Sequence, residues 1–492
     1  MTETAAPREP SLWQSLLPLL FLVVALATSV YLFSDNSSYG GNQIALLLAA
    51  GIASIIGIRN GLRWDDIQAA MAYGISLAGG AILILLAVGS LIGTWMLSGT
   101  VPTMIDYGLQ LMHPSYFYPA TCFVCALVAL TIGSSWTVAG TLGVSLMGVA
   151  QGLELSPAIT AGAVISGAYF GDKMSPLSDT TNLAPAAAGS ELFAHIRHMV
   201  WTTGPSIMLA LIGFTILGFT ASSVSSDSGG FGDLSAQLHA QFALGPHLLI
   251  PLVIVLFLAI RRMPAYPTIF IGALIGGVFA VLFQPDQVVR LADNVALSRP
   301  MALLGGTWEA LINGFKLESG SGALDDLVSR GGMASMINTI WLIICAMTFG
   351  AVMERAGLLE RLIRSVLAAA KSTGALIVAT LATALGVNIT CADQYLAIVL
   401  PGRIYRPEYA RRGLDPVNLS RALEDAGTVT SPLVPWNTCG AFMAVTLGVQ
   451  TVDYLPYALF NLINPILAAV MAYLGFKILH LTPRAEVAHR GV

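Results

Sequence analysis

The chain has 492 residues, of which 55% are hydrophobic and only 10% are charged, whereas soluble domains carry roughly a quarter charged residues. This composition indicates a membrane protein without a sizeable aqueous domain, and it argues against a soluble enzyme or a nucleic-acid-binding protein. The net charge of −4 is uninformative by itself, because the positions of Lys and Arg relative to the helices decide how a membrane protein is oriented.

Eight apolar stretches are long enough, or nearly so, to cross a bilayer at about 20 residues per helix. They lie near 12–33, 43–58, 71–97, 200–221, 246–260, 266–283, 336–353 and 456–480. No cleavage site of small residues follows the first stretch, so we expect a retained helix and not a signal peptide.

Two other apolar regions, 116–151 and 373–402, each contain a polar break that leaves two arms too short to span. We predict that each region is a re-entrant helical hairpin, which enters and leaves the membrane on the same side. The predicted hairpin tips contain Gly133, Ser134, Ser135, Gly386 and Thr390.

Two further stretches, near 158–190 and 416–449, are predicted to be crossing helices with an unwound middle. Polar segments at 171–182 and 424–437 interrupt them. The Pro, Gly and hydroxyl residues of both segments favour unwound backbone, because Pro removes a helical hydrogen bond and polar neighbours can satisfy the freed backbone groups.

These features recur along the chain at nearly constant spacings of 257, 253 and 256 residues. The recurring pairs are Gly93 with Gly350, Gly133 with Gly386, and Ser175-Pro176-Leu177 with Ser431-Pro432-Leu433. We therefore predict an all-α polytopic membrane protein of two repeats, each with five crossing helices, one of them broken, plus a re-entrant hairpin. An odd number of crossings places the second repeat inverted in the membrane.

The first inverted repeat is predicted to cover 1–221, an external linker 222–245, and the second repeat 246–492. An external segment, 284–335, is inserted in the second repeat, and a helix lying on the surface near 301–315 is expected within it. With both termini cytoplasmic, the predicted inside segments hold 18 basic residues and the outside segments hold four. This distribution obeys the positive-inside rule and favours that orientation in the cell membrane.

Two motifs of membrane-associated enzymes are missing from the sequence. No phosphate-binding Gly-x-x-x-x-Gly-Lys-Ser/Thr loop occurs at any of the four lysines, and the segment 169–172 lacks the first glycine of the membrane aspartyl protease pattern. We expect no catalytic residue and no cofactor. His195 and His198 lie at a predicted cytoplasmic helix end and are expected on the surface instead of binding a metal.

Five carboxylates fall in the unwound or hairpin-tip segments, where a charge costs at least about 2.5–3.5 kcal/mol and seldom lies without a function. They are Asp172, Asp179, Asp393, Glu424 and Asp425. Hydroxyl and amide side chains are their neighbours in sequence, and oxygen ligands of this kind suit a hard cation such as sodium. The same carboxylates can also bind a proton when they are buried.

We therefore predict a cation- and proton-binding site, with sodium held at Asp172 and Asp179. The predicted site residues are Asp172, Ser175, Asp179, Thr180, Thr181, Asn182, Asn388, Asp393, Asp425, Thr428, Ser431 and Asn437. Competition of sodium and protons for one site that opens alternately to each side would give exchange. The alternative is that these carboxylates only cap broken helices or pair with Lys173 and nearby arginines.

The segment 171–184, Gly-Asp-Lys-Met-Ser-Pro-Leu-Ser-Asp-Thr-Thr-Asn-Leu-Ala, resembles the signature of the NhaC-type sodium/proton antiporter family. The resemblance extends over most of the chain and includes the segment 431–437. It implies the ion-transporter superfamily architecture of inverted repeats with paired hairpins, and exchange of cytoplasmic sodium for external protons. The motif positions that it singles out are Asp172, Ser175, Asp179, Thr180 and Thr181.

Family members that resemble this chain also include carriers that exchange malate for lactate with protons and sodium, and others that take up amino acids. A sodium- or proton-coupled organic solute carrier is therefore the alternative function. A small carboxylate or amino acid could dock at the hairpin tips, on Ser134, Ser135, Asn388 and Thr390 and on positive half-helix ends. The expected partners are otherwise Na⁺, H⁺ and the lipid bilayer, without nucleic acid, and a homodimer is left open.

Overall fold

The computed structural model describes residues 8–33, 37, 39–222, 230–293 and 296–481, and the regular elements in these ranges are all helices. The predicted all-α class is therefore confirmed. Among the described residues, eight helices are long and apolar enough to cross a membrane, or ten if two sharply bent helix pairs each count as one span.

Eleven helices are described before residue 230. They are Leu12–Phe33 (α1), Gly41–Arg59 (α2), Trp64–Leu77 (α3), Gly79–Leu97 (α4), Thr100–Leu111 (α5), Pro114–Ile132 (α6), Ser135–Val138 (α7), Val144–Gly152 (α8), Pro157–Met174 (α9), Asp179–Ala188 (α10) and Leu192–Ser222 (α11). The π-helical turn Ala139–Gly143 connects α7 to α8 without a break. The predicted crossing helix 71–97 is divided at Ala78 into α3 and α4.

Fourteen helices are described after residue 229. They are Gly230–Gln241 (α12), Ile250–Ile260 (α13), Ala265–Phe283 (α14), Pro285–Leu291 (α15), Arg299–Asn313 (α16), Gly322–Val328 (α17), Ile337–Arg355 (α18), Leu358–Ala369 (α19), Thr373–Cys391 (α20), Gln394–Arg411 (α21), Pro416–Leu423 (α22), Thr438–Leu447 (α23), Thr451–Tyr454 (α24) and Leu459–Tyr473 (α25). A π-helical segment, Glu424–Thr428, continues α22 toward the break before α23.

The order of helices recurs at a constant offset. The starts of α4, α5, α6, α9, α10 and α11 are followed 258 or 259 residues later by the starts of α18, α19, α20, α22, α23 and α24. This offset is larger than the 253 to 257 residues of the pairs chosen from the sequence, so those pairs are not structural equivalents. Gly133, for example, corresponds to Ala392. The inverted orientation of the second repeat stays a prediction.

Both hairpin turns are built in the same way. A residue in the left-handed conformation ends the first helix of each hairpin: Gly133 with φ of +75° after α6, and Ala392 with φ of +56° after α20. The next side chain caps the following helix, because Ser134 Oγ accepts a hydrogen bond from Thr137 N at 3.2 Å and Asp393 Oδ1 accepts one from Leu396 N at 2.9 Å. Such caps fix where the second arm begins.

The second hairpin turn, at Ala392 and Asp393, lies at the end of the break predicted at 386–393. Gly386 and Thr390 are inside α20, so their assignment to the tip is wrong. A helix tolerates a glycine at modest cost, and the chain leaves the helix only where Ala392 adopts its left-handed conformation. The prediction that the first arm of each hairpin is too short to span is also wrong, because α6 and α20 have 19 residues each and are long and apolar enough to cross a membrane.

The broken helices are interrupted over shorter segments than predicted. In the first, only 175–178 is non-helical, and Ser178 Oγ caps α10 by accepting a hydrogen bond from Thr181 N. In the second, the break follows the π-helical segment and ends at Asn437, whose side chain accepts from Cys439 N at 3.0 Å. Each break therefore ends in a capped half-helix.

Close helix packing brings the first broken helix against the first hairpin. A Cβ atom at Gly167 of α9 would collide with the carbonyl oxygen of Cys122 on α6, and one at Gly171 with the carbonyl oxygen of Ala126. Small residues permit this approach of two backbones within a membrane. The position of Asp172, next to Gly171, is thereby fixed relative to the hairpin.

The inserted segment contains the helix predicted near 301–315, which is α16. One face of α16 packs against α4, because Ala310 meets Gly93 and Ser90 Oγ donates a hydrogen bond to the carbonyl oxygen of Leu311 at 2.9 Å. The helix is therefore part of the packed bundle, and only its other face, with Trp308, is exposed.

Candidate functional site

A buried ion pair joins the two halves of the chain at the broken helices. The Nζ atom of Lys173, at the end of α9, lies 2.6 Å from Oδ1 of Asp425 in the π-helical segment, and neither side chain is exposed. The same Oδ1 atom accepts hydrogen bonds from Thr202 Oγ1 of α11 at 2.9 Å and from Asn464 Nδ2 of α25 at 3.0 Å. Four separate elements therefore meet at one carboxylate oxygen.

The second oxygen of Asp425 is less well satisfied. Arg421 Nε lies 3.9 Å from it, and it has no hydrogen-bond partner among the described residues. A buried charge with incomplete pairing is costly. This oxygen is therefore a place where a proton or a cation would be favourable.

Glu424 adds a second carboxylate to the same buried cluster. Its Oε1 atom accepts a hydrogen bond from Thr428 Oγ1 at 2.9 Å, while Oε2 has no partner within the described part of the chain. The side chain is completely buried and lies within electrostatic range of Lys173 and Asp172. Glu424 thus brings a second unsatisfied oxygen close to the ion pair.

Asp172 connects the cluster to the first hairpin. Its Oδ2 atom accepts hydrogen bonds from Ser135 N at 3.1 Å and from Ser135 Oγ at 2.6 Å, and the residue is 7% exposed. A charge-assisted bond of this length is among the stronger hydrogen bonds in proteins. Because Ser135 directly follows the hairpin turn, movement of that turn would change the surroundings of Asp172.

Of the two residues that are predicted to bind sodium, Asp179 is the exposed one. It is the first residue of α10 and is exposed in the structure. Its charge acts on the carboxyl group of Asp172 and on Tyr395, so the three groups lie in one region. The structure therefore brings Asp179 near Asp172 but on the accessible side of it.

The other polar residues of the first break mainly bind backbone. Ser175 Oγ accepts from Leu177 N, and Thr181 Oγ1 donates to the carbonyl oxygens of Asp172 and Lys173 at 3.1 and 2.9 Å. Thr180 pairs with the Ser178 hydroxyl at 3.1 Å, and Asn182 donates to two carbonyl oxygens of the break. These contacts hold the unwound segment in one shape.

The second break is held by a pair of asparagines. Asn388 Nδ2, in α20, donates to the carbonyl oxygen of Gly427 at 2.7 Å, and Asn437 Nδ2 donates to Asn388 Oδ1 at 3.1 Å. Ser431 Oγ donates to the carbonyl oxygen of Thr428 at 2.7 Å. The predicted residues Asn388, Thr428, Ser431 and Asn437 are thus gathered here, with Asp393 at the adjacent turn.

A cavity of about 430 Å³ leads toward that turn. Its outer part is lined by Asp66 of α3 and by Glu354 and Arg355 of α18, and Arg355 Nη2 lies 3.1 Å from Asp66 Oδ1. Its inner part reaches Cys391 and Leu396, which flank Asp393 in sequence. The cavity therefore extends from the end of α18, at Arg355, to the second hairpin.

The two histidines predicted on the surface are instead buried. His195 is 0% and His198 is 5% exposed. His198 Nε2 lies 2.9 Å from the carbonyl oxygen of Lys477 and 3.3 Å from Arg421 Nη1, because the segment after α25 folds back over this end of α11. Neither ring nitrogen of His195 has a hydrogen-bond partner in the described ranges.

Several residues of this cluster are not identified as site residues by the sequence alone. Lys173 and Glu424 are sequence neighbours of the predicted Asp172 and Asp425, but the sequence does not show that both are buried. Thr202 and Asn464 are polar residues in apolar helices, and only the fold reveals that they face Asp425.

Comparison with known proteins places this site in a recognised sequence family. A family model described as the Na⁺/H⁺ antiporter family matches residues 167–476, which include the breaks of both broken helices. The Na⁺/H⁺ antiporter NhaC of Alkalihalophilus pseudofirmus is 40% identical, over 89% of this chain and 91% of its own length.

Other relatives of similar length are named for organic substrates. The malate-2H⁺/Na⁺-lactate antiporter of Bacillus subtilis is 35% identical, over 95% of this chain and 96% of that protein. The arginine/ornithine antiporter ArcD of Halobacterium salinarum is 34% identical, over 96% of this chain and 93% of that protein. Among solved structures, the YdaH transporter of Alcanivorax borkumensis matches with a TM-score of 0.40 and 14% identity, over 94% of this chain and 99% of that one.

Proposed function

We propose that this chain, which belongs to the Na⁺/H⁺ antiporter family, exchanges sodium ions for protons across a membrane by alternating access. The observation that carries the proposal is the buried cluster of Asp172, Lys173, Glu424 and Asp425, in which two carboxylate oxygens have no hydrogen-bond partner among the described residues. Ionisable groups within a membrane protein mark ion pathways. Relatives named as antiporters support the same conclusion.

Sodium is proposed to bind between Asp172 and Asp179. Asp179 is exposed and would receive the ion first, whereas Asp172 is buried and held by Ser135. The free Oε2 atom of Glu424 is an additional oxygen ligand on the buried side. Carboxylate oxygens are ligands that a hard cation prefers.

The proton is proposed to bind at the same carboxylates, with Asp425 as the proton acceptor from the second half. Protonation of a carboxylate removes the charge that attracts sodium, so the two ions compete. Protonation of Asp425 would also weaken its pair with Lys173 and loosen the contact between the halves. Asp393, which lies between the cavity-lining residues Cys391 and Leu396 in sequence, is proposed as a proton acceptor on the access path.

We further propose that the two repeats are inverted relative to each other and that both termini are cytoplasmic. The recurrence of helix starts at 258 or 259 residues supports two repeats of common design. The concentration of basic residues in the predicted inside segments supports the orientation. Ion gradients supply the energy in this scheme, so no bound cofactor is needed.

Coupled transport of an organic solute is the second candidate function. It is favoured by the malate/lactate and arginine/ornithine relatives and by two buried donors. Trp136 Nε1 and Tyr169 Oη, next to the two breaks, have no hydrogen-bond partner in the described chain, and Trp136 stacks on Phe442 with ring centroids 4.1 Å apart. A carboxylated solute could accept both hydrogen bonds.

The test uses purified protein in liposomes that contain a pH-sensitive dye. Addition of sodium should change the internal pH in the absence of any organic solute, and Asp172→Asn should abolish the change while the exposed control Asp286→Asn should not. An internal pH that responds only when malate, lactate or arginine is also supplied would replace the proposal with the second candidate.

A further inference from the structure

A basic pocket lies apart from the ion site, where several candidate spans end together. It has a volume of about 360 Å³ and is lined by the segment before α1, the end of α2 and the connection between α18 and α19. Its charged residues are Arg8, Glu9, Arg355, Glu360, Arg361 and Arg364. The four arginines outnumber the two glutamates, so the pocket suits an anion.

Two of these arginines are free to bind a ligand. Arg364 pairs with Glu360 at 2.6 Å, and Arg355 pairs with Asp66 at 3.1 Å. Arg8 and Arg361 are exposed and have no carboxylate within ion-pair distance among the described residues. Glu9 also lines the pocket, so after these two pairs the remaining charges are the two arginines and one carboxylate, and the excess positive charge resides on Arg8 and Arg361.

A buried amide donor also points to a missing ligand. Asn60, which follows α2, lines the pocket and is only 9% exposed, and its Nδ2 atom has no hydrogen-bond partner in the part of the chain that the structure describes. Its Oδ1 atom is used by Gln14 Nε2 at 3.4 Å. An unsatisfied buried donor is costly, and a phosphate oxygen would satisfy it if the Asn60 side chain turned toward the pocket, because Nδ2 is closed off from solvent in the conformation shown.

The pocket is built into the fold by the chain before α1. Arg8 N donates a hydrogen bond to the carbonyl oxygen of Asn60 at 2.8 Å, which fixes this segment over the end of α2. Gly357, in the left-handed conformation, begins α19 next to Pro10. The positive end of the α19 dipole adds to the attraction for an anion.

The position of the pocket indicates which anion occupies it. The spans α1, α2 and α18 all begin or end here, so the pocket lies at the level of lipid head groups. The helix α1, which begins two residues after the pocket-lining Pro10, exposes Trp13, Leu17 and Leu20 on one face, with 76%, 52% and 53% of their surface accessible. Trp is enriched at this depth, and the apolar residues below it offer contact to an acyl chain.

We propose that this pocket binds the phosphate head group of an anionic phospholipid, with Arg8, Arg361 and Asn60 as its ligands and the exposed face of α1 along its acyl chain. Basic pockets between helices on the cytoplasmic side of membrane proteins recognise such head groups. The site is separate from the cluster around Asp425 and does not depend on the transported ion.

The test measures the thermal unfolding midpoint of the full chain in detergent during titration with phosphatidylglycerol, phosphatidylcholine or inorganic phosphate. Phosphatidylglycerol should raise the midpoint to a plateau, and the other two should not. Arg8→Gln with Arg361→Gln should increase the half-saturating concentration about fivefold for each arginine removed. Asn60→Asp, which adds a negative charge at the same size, should weaken binding as well.

The control variant removes two arginines elsewhere, Arg261→Gln with Arg262→Gln, which are exposed between α13 and α14. It should respond to phosphatidylglycerol as the unmodified chain does. Equal half-saturation in the pocket variant and the unmodified chain would overturn the proposal. An equal stabilisation by inorganic phosphate would show a soluble anion site and would overturn the assignment to a lipid.

Discussion

At the scale of single residues, the site holds more buried charge than its hydrogen bonds satisfy. Asp425 Oδ1 receives three donors, yet Asp425 Oδ2 and Glu424 Oε2 receive none from the described residues. Taking an ion out of water costs several kcal/mol even after relaxation. Binding of a cation or a proton lowers this cost, which explains why the two ions would compete for the same place.

Removal of Lys173 should show how strongly the ion pair supports the fold. Lys173→Met leaves Asp425 as an unpaired buried charge, and loss of one partner of a buried pair costs about 3–5 kcal/mol. We expect a lower thermal unfolding midpoint and no sodium-driven pH change in liposomes.

The double variant Lys173→Met with Asp425→Asn is the matched control for that experiment. The amide oxygen that this variant carries in place of the carboxylate would still accept from Thr202 and Asn464, so most of the stability should return while exchange stays absent. A Lys173→Met protein with normal stability and normal exchange would contradict the assigned role of the pair.

At the scale of helices, two devices position the site: left-handed residues with caps at the hairpin turns, and glycines at helix crossings. The turn after α20 uses Ala392 where the turn after α6 uses Gly133. Asp393 and Ser134 cap the helices that follow. Both features fix where a polar side chain lies relative to the breaks. The effect of removing either feature on stability should therefore be separable from its effect on transport.

Variants of Asp393 separate its cap from its charge. Asp393→Ala removes the hydrogen bond to Leu396 N and should lower stability by about 1 kcal/mol. Asp393→Asn keeps a good capping residue, so the unfolding midpoint in detergent should be unchanged while the rate of exchange falls. If Asp393→Asn exchanged sodium and protons as fast as the unmodified chain, the role of Asp393 would be limited to capping α21.

Glycine at the crossing of α9 and α6 should be required for packing. Gly167→Ala places a methyl group against the carbonyl oxygen of Cys122, and such overpacking costs about 1–3 kcal/mol. Gly51→Ala in α2 is the control, because nothing lies within 4 Å of its Cβ position. Thermal unfolding should distinguish the two variants, and equal midpoints would contradict the close approach.

At the scale of the whole molecule, the sequence predicts the membrane class, the positions of most spans and both breaks, because these depend on hydropathy and on Pro, Gly and hydroxyl content. The sequence predicts the second hairpin turn too broadly, since the predicted break begins at Gly386, which lies inside α20, whereas only Ala392 and Asp393 at its end make the turn. The pairing of Lys173 with Asp425 spans 252 residues. Pairing of a carboxylate with Lys173 is an alternative that the sequence offers, but only tertiary structure reveals that Asp425 is the partner and that His195 is buried.

The measurement that tests the central claim most directly is the number of protons released when sodium binds to the purified protein in weakly buffered solution. If sodium and protons share the cluster, the unmodified chain should release protons on addition of sodium, and Glu424→Gln should release fewer. Sodium binding that is detectable as heat but releases no protons, or equal release by the unmodified chain and Glu424→Gln, would contradict a shared site.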